Sequence, residues 1–324
     1  MLKKLLRSKY FPIIITSVLF VVLFGIGSAL FEGFFSLQVF LNLFIDNAYL
    51  IVIATGMSMV LILGGIDISV GSVIAMVCMA SAAMLRDHVN PYLVMLLMVA
   101  VGAAFGFTQG CLIQFFKIQP FIVTLAGLFF ARGMTAVINT TSINIKDPTY
   151  VAISNAKIPL PGGNYVSPGV VIALVLLAAA SLVMTYTKFG RTVYAIGGNE
   201  ASANLMGLPV GKTKILVYTV NGIYSSIAGI VFSFYMLSGY TRHAVGAEMD
   251  AISSSVIGGM SLTGGIGYVP GALFGVLING TIQTLITFQG TLSSWWAKIV
   301  SGLLLCAFIV LQRMILKNKG VGES

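Results

Sequence analysis

Residues 88–116 read HVNPYLVMLLMVAVGAAFGFTQGCLIQFF and contain no Lys, Arg, Asp or Glu. An α-helix needs about 20 apolar residues to cross the hydrocarbon core of a bilayer, and this stretch is longer than that. Because it does not alternate polar and apolar residues, it favours a helix over a strand of a membrane β-barrel. Further runs without a charged residue lie on both sides of it: Tyr10–Phe31, Asn47–Ile66, Ile68–Leu85, Ile158–Thr187, Ile215–Thr241 and Ala251–Ala297. The chain is therefore predicted to be an all-α, polytopic membrane protein.

The composition agrees with this fold class. Of 324 residues, 58% are hydrophobic and only 8% are charged, against about a quarter charged in a soluble domain. The mean hydropathy is +1.00, and so little polar surface cannot cover a soluble globule. In a soluble protein a net charge of +9 would suggest nucleic acid as a partner. Here we attribute the charge to basic residues at the cytoplasmic ends of spans, and we expect membrane lipid and no nucleic acid around the chain.

The apolar runs divide into about ten predicted spans. The connection Gly64–Ile68 separates the second from the third, and Lys117–Pro120 separates the fourth from the fifth. The predicted spans are Phe11–Leu30, Ala48–Leu63, Ser69–Leu85, Tyr92–Phe116, Phe121–Asn139, Val166–Tyr186, Ile215–Ser238, Ala251–Leu262, Gly271–Phe288 and Trp295–Gln312.

Ten spans place both termini on the same side of the membrane, and the basic residues indicate which side. The start of the chain resembles a secretory signal, but its apolar run exceeds the core of about 7–15 residues of such signals, so we interpret it as a retained first span. Basic residues assigned to the cytoplasm are Lys3, Lys4, Arg7, Lys9, Lys117, Lys188, Arg191, Lys212, Lys214, Arg313, Lys317 and Lys319. Those assigned to the outer side are Arg86, Lys146, Lys157, Arg242 and Lys298, which leaves Arg132 inside the membrane. The excess of basic residues on the cytoplasmic side predicts a multi-pass protein with both termini in the cytoplasm.

Two connections in this topology are long. Residues 140–165 form an external loop rich in Pro and Gly, which is a candidate docking surface for an external partner. Residues 188–214 form the long cytoplasmic loop. Within that loop a short helix is predicted over Asn199–Met206, with Asn199 as N-cap, Glu200 at the positive end and Gly207 as the stop.

The sequence offers little that could perform bond chemistry. It contains no Gly-x-x-x-x-Gly-Lys-Ser/Thr phosphate loop, no convincing Ser/His/Asp arrangement and no metal cluster. Cys78, Cys111 and Cys306 lie in apolar runs and are interpreted as small core residues, whereas His88 and His243 are isolated in short connections. The chain is predicted not to be an enzyme and to bind no metal.

Two ionisable residues near or within spans leave alternatives open. Ion-coupled carriers keep carboxylates at mid-membrane, but here each acidic residue lies near a predicted span end or in a connection, and only Asp67 could be drawn inward. Asp67 either enters the membrane or caps the following helix, and we favour the cap. Arg132 either faces a solute path or pairs with a backbone carbonyl or with a carboxylate such as Asp46, and we favour the pairing.

The stretch Ala251–Gly271 is unusual for a spanning helix because it is rich in Ser and Gly. Non-helical backbone at this depth is tolerated only where protein or water surrounds it, which favours a broken segment beside a solute path. Small residues equally favour close packing of helices. The two interpretations are compatible.

Several motifs, in order along nearly the whole chain, share one resemblance. They are Gly64-Gly65-Ile66-Asp67-Ile68-Ser69-Val70-Gly71-Ser72, Phe121–Gly127 with Arg132-Gly133, Gly190-Arg191 with Tyr194–Asn199, Ser202-Ala203 with Met206-Gly207, and Val256–Gly259 with Gly264–Gly267. The first resembles the Gly-Gly-(Ile/Met)-Asp-Leu-Ser-Val-Gly signature of the ribose-type ABC sugar permeases, and the others are similar to segments of the same family. Ile68 and Met249 stand where relatives often have Leu.

The resemblance implies a fold and a set of partners. The whole chain, residues 1–324, would be a single transmembrane permease domain with the all-α fold of vitamin-B12-type importers, in a bacterial inner membrane. It would pair with a second permease, two cytoplasmic ATP-binding subunits that hold ATP and Mg²⁺, and a periplasmic sugar-binding protein. This chain would bind no cofactor itself.

The resemblance also implies roles for particular residues. The signature residues Gly64, Gly65, Asp67, Ser69 and Gly71 would be structural, and the short helix in 188–214 would couple the ATPase to the path. The coupling set is Gly190, Arg191, Gly197, Gly198, Asn199, Glu200, Ala203, Met206 and Gly207. As path-lining residues we select Phe129, Phe130, Arg132, Asn139, Ser253, Ser254 and Ser255, although such residues in membrane bundles more often serve packing.

Within the family, Gly290–Trp296 followed by Lys298, and Ala201–Gly207, look most like the permease of the bacterial galactofuranose importer, which works beside a related permease. The sequence therefore predicts uptake of a monosaccharide, galactofuranose, driven by ATP on the partner. The alternative is an ion-coupled secondary sugar carrier acting alone, against which the scarcity of mid-membrane carboxylates and the long cytoplasmic loop argue. A membrane scaffold or receptor that moves no solute is a further alternative.

Overall fold

The computed structural model describes residues 11–293 and 295–318 and shows a bundle of helices. Of the basic residues used for the topology, Lys3, Lys4, Arg7, Lys9 and Lys319 lie outside the described residues. In the part that is described, fourteen α-helices follow one another. They are α1 Phe11–Leu30, α2 Leu37–Asp46, α3 Ala48–Leu63, α4 Val70–Arg86, α5 Pro91–Phe115, α6 Pro120–Ile138, α7 Pro148–Asn155, α8 Pro168–Tyr186, α9 Lys188–Gly198, α10 Glu200–Leu205, α11 Val210–Met236, α12 Ala247–Ile257, α13 Gly271–Gln289 and α14 Trp295–Asn318.

Helix α3 forms the centre of the bundle. All but one of its sixteen residues are buried, as expected for a helix that is apolar on every side. Helices α8, α9, α11, α12 and α13 pack around it. The long outer face of α5 carries exposed Leu, Val and Phe side chains, which is the surface that a helix turns towards lipid.

The lengths of the helices confirm a polytopic membrane protein and leave the count of ten spans a prediction. Among the described residues, six helices are long and apolar enough to cross a bilayer: α1, α5, α6, α8, α11 and α13. The pair α2 and α3, bent by 57°, makes a seventh if it is taken as one span. Helices α4 and α14 are shorter and apolar.

The predicted eighth span is not a simple spanning helix. Helix α12 has 11 residues and is therefore about 16 Å long, roughly half of the hydrocarbon core. After α12 the backbone leaves the helical conformation through Gly259, Gly264 and Gly265, all at positive φ. The stretch Ala251–Gly271 is therefore a broken segment. It is also closely packed, as the second interpretation of its small residues predicted.

Within the described residues, four short strands and three helices, α2, α7 and α9, stand in segments that the sequence predicts to be connections. Strand β1 (Ile143–Asn144) pairs antiparallel with β4 (Ser238–Gly239), and β2 (Ile158–Leu160) pairs with β3 (Asn164–Val166) around a 3-10 turn. Helix α7 lies in the same loop of residues 140–165 and is capped by Asp147, which accepts hydrogen bonds from the backbone N–H groups of Thr149 and Tyr150. The loop is therefore folded, and α2 and α9 are further helices that the sequence analysis missed.

Candidate functional site

The connection between α3 and α4 turns back into the bundle. Gly64 ends α3 with φ +90°, a conformation that L side chains rarely adopt. Asp67, only 2% exposed, then accepts hydrogen bonds at Oδ1 from the N–H and the hydroxyl of Ser69, at 2.8 and 2.6 Å. Its Oδ2 accepts from Nδ2 of Asn221 at 2.7 Å. The favoured alternative, that Asp67 caps α4, is wrong, because the N-cap is Ser69 and Asp67 bonds Ser69 itself. The burial of Asp67 fits the other alternative, that it is drawn inward.

The position of Asn221 gives the depth of this carboxylate. Asn221 lies eleven residues after Val210, the first residue of α11, and is therefore about 16 Å along a helix of about 40 Å. Asp67 lies in the connection between α3 and α4, as predicted, and it is the acidic residue that was expected to be drawn inward. The carboxylate of Glu248 also lies inside, against Gly71 of the signature. Asp67 is enclosed by hydrogen-bond donors of its own chain, as a structural role requires.

Two partners of this network were missed by the sequence analysis. Gln109 of α5 donates through Nε2 to the Ser69 hydroxyl at 3.0 Å, and Asn221 of α11 donates to Asp67. Both are buried amides inside long apolar helices. An amide in such a position is a signal for a polar contact between helices, and it could have marked both residues.

The loop of residues 188–214 contains two helices, and the predicted short helix is confirmed as α10. Its N-cap is Asn199, whose Oδ1 accepts from the N–H of Ser202 at 2.8 Å. Glu200 in the first turn forms a 2.6 Å ion pair with Lys214 at the base of α11. Ala203 is fully buried beneath the helix, and the chain turns at Gly207, whose N–H donates to the carbonyl of Asn204.

The end of α10 presents an apolar tip. Leu205 and Met206 are 89% and 65% exposed, although they follow a buried residue in a polar segment. Two large apolar side chains held out by a capped helix form a surface suited to a protein partner.

Helix α9, preceding this tip, is fixed to the bundle by close backbone contacts. A Cβ on Gly197 would lie only 1.8 Å from the carbonyl oxygen of Ile62 at the end of α3, and one on Gly190 would lie 2.1 Å from that of Met184, whereas Gly198 has open space. The Tyr194 hydroxyl donates to the carbonyl of Gly267 at 2.8 Å, and burial raises its pKa to about 12, so it remains a donor at neutral pH. Arg191 donates to the Tyr186 carbonyl at 3.4 Å.

The predicted path residues divide into two groups. Phe129 and Phe130 of α6 are 67% and 60% exposed and share an open face. Arg132, on the same helix, donates through one guanidinium nitrogen to the carbonyls of Thr241 and His243 at 2.7 and 2.8 Å. The favoured interpretation, pairing with backbone carbonyls, is therefore confirmed, whereas the suggested partner Asp46 instead accepts from the Tyr235 hydroxyl. Asn139 ends α6 half-buried and accepts from Thr141.

The three serines of α12 belong to the second group, and their packing does not support a role in lining a path. Ser254 accepts from Nδ2 of Asn279 in α13 at 2.7 Å. Ser255 donates to the carbonyl of Ala54 in α3 at 3.1 Å, and Ser253 to that of Asp250 in its own helix. All three are buried, so their hydroxyls serve helix packing in this structure.

Two sizeable cavities open at opposite ends of the bundle. One of about 650 Å³ lies beside α10 and is lined by Lys117, Glu200, Lys214 and Tyr218, among others. The other, of about 680 Å³, lies between the start of α12, the end of α13 and the start of α14. Across the described ranges no group of three or more His, Cys, Asp or Glu side chains is placed to hold a metal ion.

Comparison with known proteins agrees with this arrangement of helices. The family described as "Branched-chain amino acid transport system / permease component" matches residues 39–309. The chain belongs to this family. Its members are components of transport systems, and the chain is a polytopic membrane permease.

Three relatives are similar over nine-tenths or more of both chains. The inner membrane ABC transporter permease protein YjfF of Escherichia coli K12 is 46% identical over 93% of this chain and 92% of its own length. The fructose import permease FruG of Bifidobacterium longum is 37% identical over 97% and 94%. The ribose import permease RbsC of E. coli K12 is 33% identical over 92% and 91%. No solved structure matches the chain.

Proposed function

We propose that this permease is the membrane-spanning subunit of an ATP-driven importer that moves a monosaccharide, galactofuranose, across the bacterial inner membrane into the cytoplasm. It acts with cytoplasmic ATP-binding subunits, which hold the ATP and Mg²⁺, with a second related permease and with a periplasmic sugar-binding protein. Both termini lie in the cytoplasm, and the chain itself binds no cofactor.

The named relatives support a sugar as the solute. The family description mentions amino acids, but FruG and RbsC are named for fructose and ribose, and each aligns over at least nine-tenths of this chain. The choice of galactofuranose rests on the likeness of residues 290–298 and 201–207 noted above.

The observation that carries the proposal is the exposed tip of α10. Leu205 and Met206 stand clear of the bundle, whereas Ala203, in the turn before them, is buried against it. The ion pair of Glu200 with Lys214 joins the same short helix to α11, whose middle holds Asp67 through Asn221. A force applied to the tip by a moving partner therefore passes into the centre of the bundle.

The open face of α6 supports pairing with a second permease. Phe129 and Phe130 are exposed on this face, and an uncharged sugar suits a path walled by aromatic and small polar groups rather than fixed charges. The Arg132 guanidinium is held by two carbonyls, so in this proposal it positions the residue 240–246 loop beside the path.

Uptake of labelled galactofuranose by liposomes that contain the permease pair, the ATP-binding subunit and the sugar-binding protein tests the proposal. Ala203→Pro removes the N–H that donates to Asn199 and breaks α10, so we expect ATP-driven uptake to fall by about tenfold or more while protein in the membrane is unchanged. Charge reversal by Glu200→Lys should act in the same direction. Exposed Lys212 in the same loop provides the control Lys212→Gln, for which uptake should be retained.

Two outcomes would contradict the proposal. Unchanged uptake in both α10 variants would remove the tip from the mechanism. Uptake by this chain alone, driven by an ion gradient without ATP, would identify a secondary carrier instead.

A further inference from the structure

The cavity of about 680 Å³ lies at the end of the bundle opposite the loop of residues 188–214. Its wall includes Tyr49 at the start of α3, Phe232 near the end of α11, and Gln283 and Thr287 near the end of α13. The loop of residues 188–214 instead adjoins the end of α3 and the start of α11. Pockets for small molecules are usually about 300–1,000 Å³, so the cavity has room for a monosaccharide.

Aromatic rings form one side of this cavity. Phe232 packs edge-on against Tyr49 and against the His243 ring, with centroids 4.8 and 5.3 Å apart. Trp295, the first residue of α14, stands at the rim and is 75% exposed. A sugar ring carries an apolar face of C–H groups, and flat aromatic side chains bury such a face at little entropic cost.

Polar groups line the other side. The Asp250 carboxylate accepts two hydrogen bonds from Nζ of Lys298, at 2.7 and 2.5 Å, and so joins α12 to α14 across the cavity. Gln283 and Thr287 add an amide and a hydroxyl from α13. Arg242 adds a guanidinium that forms no ion pair with any described residue.

This set of groups favours a neutral polyol over a charged amino acid. Recognition of an amino acid needs a carboxylate free to meet the ammonium group, and Asp250 is already neutralised by Lys298. Sugar hydroxyls each donate and accept, and amide, hydroxyl and paired charged groups provide both functions.

The floor of the cavity is the loop of residues 240–246, and it is a fixed structure. Arg132 holds the loop from the α6 side through the carbonyls of Thr241 and His243. Nε2 of His243 lies 3.1 Å from the Ser238 hydroxyl. These contacts hold the loop in place beside the cavity, and the loop separates the cavity from Arg132.

We propose that this cavity, between α12, α13 and α14 of a single chain, binds the sugar on the outer side before it enters the path. The inference rests on the proposed function for the class of ligand, and it adds a binding site within this chain.

The two tryptophans of the chain, Trp295 and Trp296, provide a matched test. Trp295 lines the cavity and Trp296 does not. The full chain in lipid nanodiscs, free of sugar-based detergent, is titrated with galactofuranose, ribose, fructose and leucine while tryptophan fluorescence is recorded. Trp296→Phe, which keeps the Trp295 reporter, should show a saturable change with at least one sugar, whereas Trp295→Phe should show none.

A second pair of variants tests the polar side. Gln283→Ala removes an amide that lines the cavity. It should lower the affinity for the sugar by about threefold to tenfold, the usual effect of one lost hydrogen bond. Gln289→Ala, on an exposed residue of the same helix that does not line the cavity, should leave the affinity within about twofold.

Several results would overturn the inference. They are the absence of a saturable response to any of the sugars, an equal response in Trp295→Phe, a response to leucine alone, and an equal weakening by the two glutamine variants. The uptake assay in liposomes separates these failures from failure of the proposed function. ATP-driven sugar uptake without a Trp295 response discards only the cavity site, whereas absence of uptake discards the proposed function.

Discussion

Two breaks in helical structure meet beside the end of α3 that adjoins the loop of residues 188–214, and they are held in different ways. The first, residues 64–69, is fastened by side chains, since Asp67 accepts hydrogen bonds from Ser69 and from Asn221. The second, residues 258–270, is fastened mainly by backbone, since the N–H of Gly265 donates to the carbonyl of Ile62 at 2.8 Å. The first break depends on the carboxyl group of one side chain and the second on the absence of side chains, so the two should fail under different substitutions.

Removal of the Asp67 carboxylate should have the largest effect. Asp67→Ala leaves two buried donors of Ser69 and one of Asn221 without an acceptor, which should lower the free energy of unfolding by about 3 kcal/mol or more. Thermal unfolding of the purified protein in nanodiscs measures this loss. Asp87→Ala removes an exposed carboxylate and should leave the melting temperature unchanged. An equal melting temperature for both variants would show that the Asp67 network does not stabilise the fold.

Addition of one methyl group to Gly197 of α9, which packs against the second break, should destabilise that break. Gly197→Ala places a Cβ about 1.8 Å from the Ile62 carbonyl, the group that also accepts from Gly265. We expect a loss of about 1–3 kcal/mol, typical of overpacking, together with reduced sugar uptake. The adjacent Gly198→Ala meets nothing within 4 Å and is the matched control. Similar stability of the two variants would mean that α9 can move away from α3 at little cost.

Loss of one hydroxyl should have the smallest effect. Tyr194→Phe removes the bond to the Gly267 carbonyl and should cost about 1 kcal/mol. Tyr186→Phe, on an exposed ring, should cost nothing measurable. A larger loss for Tyr194→Phe than for Gly197→Ala would reverse the order and show that this break too depends on side-chain hydrogen bonds.

The sequence predicted the elements whose cause is local. Apolar runs indicated a helix in each of the ten predicted spans, and Asn199, Glu200 and Gly207 indicated α10, because caps and stops act within a few residues. Helix α9 was not predicted, since its residues Lys188–Gly198 form an amphipathic helix rather than the long apolar run by which the spans are recognised. Helix α2, Leu37–Asp46, was missed because its short apolar run resembles a connection.

The parts that the sequence did not predict depend on contacts between distant segments. Asp67 was recognisable as unusual, but its partner Asn221 is 154 residues away, and no local pattern connects them. The same holds for Arg132 and the carbonyls of Thr241 and His243, at separations of 109 and 111 residues. The serines of α12 were noticed for their chemistry, and their burial became visible only once α3 and α13 were in place.

The long separation between Asp67 and Asn221 also sets a waiting time during biosynthesis. At about 5–20 residues per second, a ribosome needs about 8–30 s to make the 154 residues between them. During that interval the carboxylate lacks one of its partners, and an acidic group inside a bilayer costs up to about 2.5–3.5 kcal/mol. Helices α3 and α4 are therefore expected to remain beside the insertion machinery until α11 emerges. A nascent chain halted before Asn221 should crosslink to that machinery more strongly than one halted far enough beyond Met236 for α11 to have left the ribosome.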